Sequence, residues 1–240
     1  MALTLQICHY IIWFPLAVLV VWAILRRGVQ QYPLIFTFMT VTFLIVVAEM
    51  PSALSVHSGH STEAQSELLR KLRAIAQGVT HLLVFAVVAS FMLRATKELP
   101  GRHLIRAGVA FGSALFIAVS FLVHYDSAKV ITFWMTPWIR DVNFCAAIVD
   151  LILWGLLLSS RKKDPTLLLL VGGMGITFAG DAISDAMRSI AIHSRFYPLW
   201  ISASVFSIFS EAAWLYVWWQ AFRKAPAATS SVSVRSAVRG

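Results

Sequence analysis

Seven runs of mostly apolar residues recur along this chain, separated by short breaks rich in charge, proline or glycine. Each is about 20 residues long, the length of helix that crosses a hydrocarbon core of about 30 Å, so the pattern predicts seven transmembrane helices. The first run extends from Leu5 to Leu25, carries Pro15 and stops at Arg26-Arg27. The second follows Tyr32-Pro33 and is expected to end at Pro51. Before the third, Leu72 to Met92, lies a polar loop in which Thr62 and Gln65 have the spacing of a capping box, so a helix should open inside the loop and run on into the span. The fourth, Leu104 to His124, holds no charge beyond Arg106 and reads as a scaffold helix. Trp134, Pro137 and Trp138 predict an interfacial segment ahead of the fifth, Trp138 to Leu158. The sixth covers Thr166 to Ile190 and the seventh Leu199 to Gln220. Residues 225–240 are small, polar and without period, and are expected to form a disordered cytoplasmic tail. The chain therefore reads as all-α, with one seven-helix transmembrane domain over residues 1–224.

Polar residues break the apolar pattern at helical spacing. Arg140, Asn143, Ala147, Asp150 and Trp154 do so in the fifth run, Thr177, Asp181, Ser184, Asp185 and Arg188 in the sixth, and Ser204, Ser207, Glu211, Trp214 and Trp218 in the seventh. Each set lies on one helix face. Inside a bilayer such a face has to point at protein or water, so the three should converge. The third run adds Gln77, Thr80 and His81, one turn apart. Counting inward from the span ends at about 1.5 Å per residue puts Asp150 and Glu211 near the midplane, with His81 and Asp181 in the outer half. Glu49, Arg140, Asp141, Asp185 and Arg188 fall nearer the outer surface. The expected result is an outward-facing polar pocket among runs two, three, five, six and seven.

Composition and charge sharpen the class. With 59% hydrophobic and 13% charged residues and a mean hydropathy of +0.77, the chain lies outside the range of soluble globular proteins. Its net charge of +9 sits in the breaks between apolar runs, which points to membrane orientation and away from nucleic acid. If successive runs alternate in direction, 13 of the 20 Lys and Arg fall on one side, so the N-terminus is expected outside and the C-terminus in the cytoplasm. Arg70, Lys71 and Arg73 depart from that rule. The two cysteines, Cys8 and Cys145, form no disulfide framework and no metal-ligand spacing.

The candidate chemistry is carboxylate-rich. Glu49, Asp141, Asp150, Asp181, Asp185 and Glu211 face only Arg140, Arg188 and His81. Burying unpaired carboxylates is costly, so either some are neutral or a cation balances them: a proton, a metal or a charged ligand. His81, Asp150, Asp181, Asp185, Glu211, Arg140 and Arg188 are accordingly the candidate ligand-binding residues. His81 with Asp181 and Glu211 has donor chemistry suited to a divalent metal, although no HExxH-type spacing accompanies it. An alternative is an intramembrane hydrolase in which Asp150 and Asp181 share a proton and activate water. The purely structural alternative pairs Arg140 with Asp141 or Asp185, and Arg188 with Asp181 or Asp185, as ties between helix ends.

Several family patterns bear on this choice. Gly180-Asp181, with Asp150 one helix earlier, resembles the two-aspartate arrangement of GxGD intramembrane proteases, but position 178 is Phe and no Pro-Ala-Leu motif follows. The seven-span outline is similar to rhodopsins, yet the seventh run has no lysine for a retinal Schiff base. Over most of its length the chain resembles a bacterial group of seven-span membrane proteins. That resemblance rests on Tyr32-Pro33, on Arg140-Asp141-Val142-Asn143-Phe144, on Gly172-Gly173-Met174-Gly175-Ile176 and on Tyr216-Val217-Trp218-Trp219-Gln220-Ala221-Phe222-Arg223. It implies the topology and imports no catalytic residues. The expected protein is a multi-pass resident of the bacterial cytoplasmic (inner) membrane that binds a small molecule or cation. It would act as a sensor-like or transport-related module with a membrane protein partner, or as a scaffold for other helices.

Overall fold

The computed structural model describes residues 2–27, 29, 31–57, 63–97, 102–126, 131–159 and 164–224. They form seven helices: α1 (Ala2–Arg27), α2 (Pro33–His57), α3 (Glu63–Ala95), α4 (Arg102–His124), α5 (Ile131–Ser159), α6 (Pro165–Ser194) and α7 (Tyr197–Lys224). All seven are long and apolar enough to cross a bilayer. The expected tail and Thr62 lie outside the described residues.

Two helices run past the prolines expected to bound them. α2 continues beyond Pro51 to His57, and α5 starts at Ile131, so that Pro137 lies inside it. A proline forfeits one backbone hydrogen bond, a loss that neighbours or water near a span end can offset. In α5 the aromatic residues also favour helix. Trp134 packs edge-on to Phe121 and Tyr125 at 5.6 and 5.3 Å, which needs helical geometry at the segment read from sequence as interfacial. α3, by contrast, does run unbroken from the polar loop through its span.

Six helices close a ring. α1 packs on α2, α2 on α3, α3 on α5, α5 on α6, α6 on α7 and α7 back on α1, while among the described residues α4 packs on α5 and α3 from outside. The buried core fills one half of the ring, at the ends of α1, α3, α5 and α7 and the starts of α2 and α6. There Ile24, Ile35, Met39, Phe91, Met92, Leu153, Leu170, Leu215, Trp218 and Phe222 interlock. In lipid, helices associate through close packing more than through hydrophobicity, so small residues mark the tightest contacts. α6 and α7 show this best. Gly173 lies under Trp218, and Gly180, two turns along the same face, lies under Ser210. Trp218 Nε1 donates to the Leu170 carbonyl and Ser210 Oγ to the Ile176 carbonyl, both at 3.0 Å. Asp164 caps the start of α6 by accepting from the amides of Thr166 and Leu167 at 3.0 and 3.1 Å, with Pro165 at the first helical position.

α4 is inverted relative to a helix of a soluble protein. Its apolar side chains Leu104, Phe111, Leu122 and Val123 are exposed, and the buried ones are Ser113 and Ser120. Ser120 Oγ donates to Asp141 Oδ2 at 2.7 Å and His124 Nε2 lies 3.0 Å from the same oxygen. Polar hooks thus fasten this helix to α5, and its apolar side faces outward.

Candidate functional site

The half of the ring nearest the chain's N-terminus is not filled by side chains. It holds a cavity of about 290 Å³ to which all six ring helices contribute. Helical spacing explains the lining. Phe38, Thr42, Ile45 and Glu49 share one face of α2, Gln77, Thr80, His81 and Val84 one face of α3, and Thr177, Phe178 and Asp181 one face of α6. α1 supplies His9 and Trp13, α7 Glu211 and Trp214, and α5 Asn143. The floor is aromatic, because Trp13, Phe38, Phe178 and Trp214 belong also to the buried core. Carboxylates stand above it. Along α2 the rise from Phe38 to Glu49 spans about 16 Å, so the cavity is a shaft with an apolar end and an acidic end.

A second cavity, of about 400 Å³, adjoins the acidic end. Gln6 and His9 of α1, Arg73 of α3, Arg188 of α6 and Trp200, Ser204 and Ser207 of α7 line it, together with Glu211. His9 and Glu211 border both spaces, and His9 Nδ1 lies 3.4 Å from Glu211 Oε2 across the division. The Ser207 hydroxyl also reaches the Glu211 carboxylate.

Other polar groups are held in defined states. His81 Nδ1 lies 2.9 Å from the Gln77 carbonyl, which can only accept, so Nδ1 carries a proton. Glu49 Oε2 pairs with Arg73 Nε at 3.6 Å. Asp185 pairs with Arg188 at 3.4 Å. Asp181 makes no ion pair or hydrogen bond among the described residues, although Asp185 and Arg188 act on it at longer range. Thr42 Oγ1 is buried and has no hydrogen-bond partner among the described residues.

The candidate residues separate into four groups. His81, Asp181 and Glu211 meet at the first cavity, and Arg188 joins Glu211 at the second. Asp185 is exposed and linked to Arg188, one of the two ties expected for that arginine. Arg140 is exposed and lines neither cavity, and its expected partner Asp141 is engaged by Ser120 and His124 instead. Asp150 is only 3% exposed, with one oxygen near Gly175 and Oδ1 without a partner among the described residues, and it lines neither cavity. Asp150 and Asp181 are therefore not brought into one cavity. His81, Asp181 and Glu211 share a space, but no group of three or more His, Cys, Asp or Glu among the described residues is placed to hold a metal ion.

Sequence reasoning missed α1. Gln6, His9 and Trp13 recur at spacings of three and four and line the two cavities, the same signal that identified the stripes on α5, α6 and α7. It also missed the pairing of Arg73 with Glu49. No protein-family model, curated protein or solved structure matches this chain.

Proposed function

We propose that this chain is a multi-pass membrane protein that receives a small molecule or cation from the outer face into the shaft above Phe38 and Trp214, as a sensor-like or transport-related module. The observation that carries this reading is the ring itself. Six helices surround a cavity of about 290 Å³, polar and acidic at one end, in a protein whose other half holds the buried hydrophobic core. A scaffold that only bound other helices would gain nothing from keeping Asp181 and Glu211 around an unfilled space, since filling it with apolar side chains would add packing. Orientation follows from charge. The helix ends around the packed half carry Arg26, Arg94, Lys97, Arg102, Arg106 and Arg223, so this half faces the cytoplasm and both cavities face outward. A bacterial cytoplasmic membrane fits both the topology and the family resemblance.

Thiol accessibility tests the reading. With Cys8 and Cys145 replaced by Ser, a cysteine at Thr80 should react with a membrane-impermeant maleimide in right-side-out spheroplasts. A cysteine at Leu115, on the outward apolar side of α4, should not. Labelling of the Thr80 position only after permeabilisation would reverse the orientation, and no labelling in the native protein would remove the open cavity.

A further inference from the structure

The two cavities differ in charge. Among the described residues no Lys or Arg lines the inner one, where Glu49, Asp181 and Glu211 supply the charge. The outer one carries Arg73 and Arg188. Glu211 and His9 stand at the division between them. A simple cation reaching the inner acids has to pass two guanidinium groups, and a simple anion that binds those groups meets three carboxylates behind them. Only a molecule with both charges is favoured by both layers, and only if its positive end points inward.

We infer that the two cavities form one polarised site for a small zwitterion, an ammonium carboxylate that enters amine first. This rests on the reading that the cavities open to the outer face. The ammonium group sits against Asp181, the one inner carboxylate with no ion pair or hydrogen bond among the described residues. Carboxylates around an ammonium ion give charge-assisted hydrogen bonds, and the aromatic side chains of Trp214 and Phe38 below suit an apolar or aromatic body. The carboxylate end meets Arg188 and Arg73 in the outer cavity, where a guanidinium can bind it through two parallel N–H donors. Thr42, which also lines the shaft, has a hydroxyl with no hydrogen-bond partner among the described residues.

The test uses the full-length protein with single cysteines at Thr80 in the inner cavity and Ser204 in the outer one. Each is labelled with a cationic trimethylammonium methanethiosulfonate and an anionic sulfonate analogue, every rate being normalised to that reagent's rate with a free thiol. The expected result is a preference that changes sign. At Thr80 the cation should react faster by about tenfold or more, and at Ser204 the anion should be equal or faster. Asp181→Asn should remove most of the preference at Thr80 and Asp181→Glu should keep it, so that loss through misfolding is recognised. Phenylalanine should then slow labelling at Thr80 more than phenethylammonium or phenylacetate does. Equal preference at both positions, or protection by phenethylammonium as strong as by phenylalanine, would overturn the zwitterion while leaving the open cavity intact. Absence of labelling by either reagent would instead remove the cavity itself.

Discussion

Replacing Gly180 by Ala places a methyl group where α7 approaches α6 closely. The new Cβ would collide with Ser210 Oγ and lie 2.5 Å from Ser210 Cβ. The second atom is fixed by the α7 backbone and cannot rotate away. Carbon atoms settle at about 3.5 Å or more, so α7 must retreat by about 1 Å. That retreat strains the Ser210 hydrogen bond to Ile176, worth about 0.6 kcal/mol in a membrane setting. Overpacking adds about 1–3 kcal/mol. Against this stands the gain in helix propensity on replacing glycine, about 1 kcal/mol. The net loss is about 0.6–2.6 kcal/mol, read as one to several degrees in the unfolding midpoint in detergent at about 2–4 °C per kcal/mol. The same substitution at Gly108 or Gly112 of α4 meets no atom within 4 Å, so it should be neutral or mildly stabilising. Adding Ser210→Gly to Gly180→Ala removes the collision, and the double-mutant cycle should show a coupling of about 1–3 kcal/mol. A Gly180→Ala protein as stable as wild type, or a cycle with no coupling, would refute the close approach of α6 and α7.

Other consequences are separable by assay. Trp218→Phe loses the indole donor to Leu170 and should cost about 1 kcal/mol in thermal unfolding without altering labelling in the cavities. Asp141→Ala unhooks Ser120 and His124 together, costs about 1–3 kcal/mol and should make the α4 ends the first sites cut by limited proteolysis. The phenol of Tyr32, at the mouth of α2, is pushed above its ordinary value of 10.0 by burial and then by Asp164, with Arg94 opposing. Between that ordinary value and the raised one the folded state holds a proton that the unfolded state has lost, so stability falls as pH rises through this alkaline window and is unaffected below it. Tyr32→Phe should lose this component of the alkaline decline, as followed by unfolding midpoints against pH.

What the sequence revealed and what it hid have physical causes. Seven apolar runs bounded by charge define helices in lipid almost by necessity, because no other open structure satisfies the backbone there. The stripes on α6 and α7 were legible for the same reason, and Asp181, Glu211 and Arg188 do lie on cavity walls. The stripe on α5 was only partly so. Asn143 reaches the cavity, but Arg140 turns outward and Asp150 is buried against Gly175, because a helix about eight turns long contacts different neighbours along its length. Partners across helices were the least legible. Nothing local indicates that Asp141 belongs to His124 and Ser120, Glu49 to Arg73 or Glu211 to His9. Two weak signals were present: the Gln6, His9, Trp13 spacing, and a cluster of basic residues on the side where the positive-inside rule expects few. Pro51 and Pro137 misled for a different reason, since their cost depends on whether the freed carbonyl finds another partner.

Native mass spectrometry of the intact protein tests the central claim most directly, comparing wild type with Thr80→Trp after both are incubated with the small-molecule fraction of the expression host. The indole fills the shaft and leaves the packed half of the ring untouched. The account predicts a bound small molecule on the wild type that is missing from the filled variant, over an unchanged background of bound lipid. Identical sets of bound masses on the two proteins would contradict it.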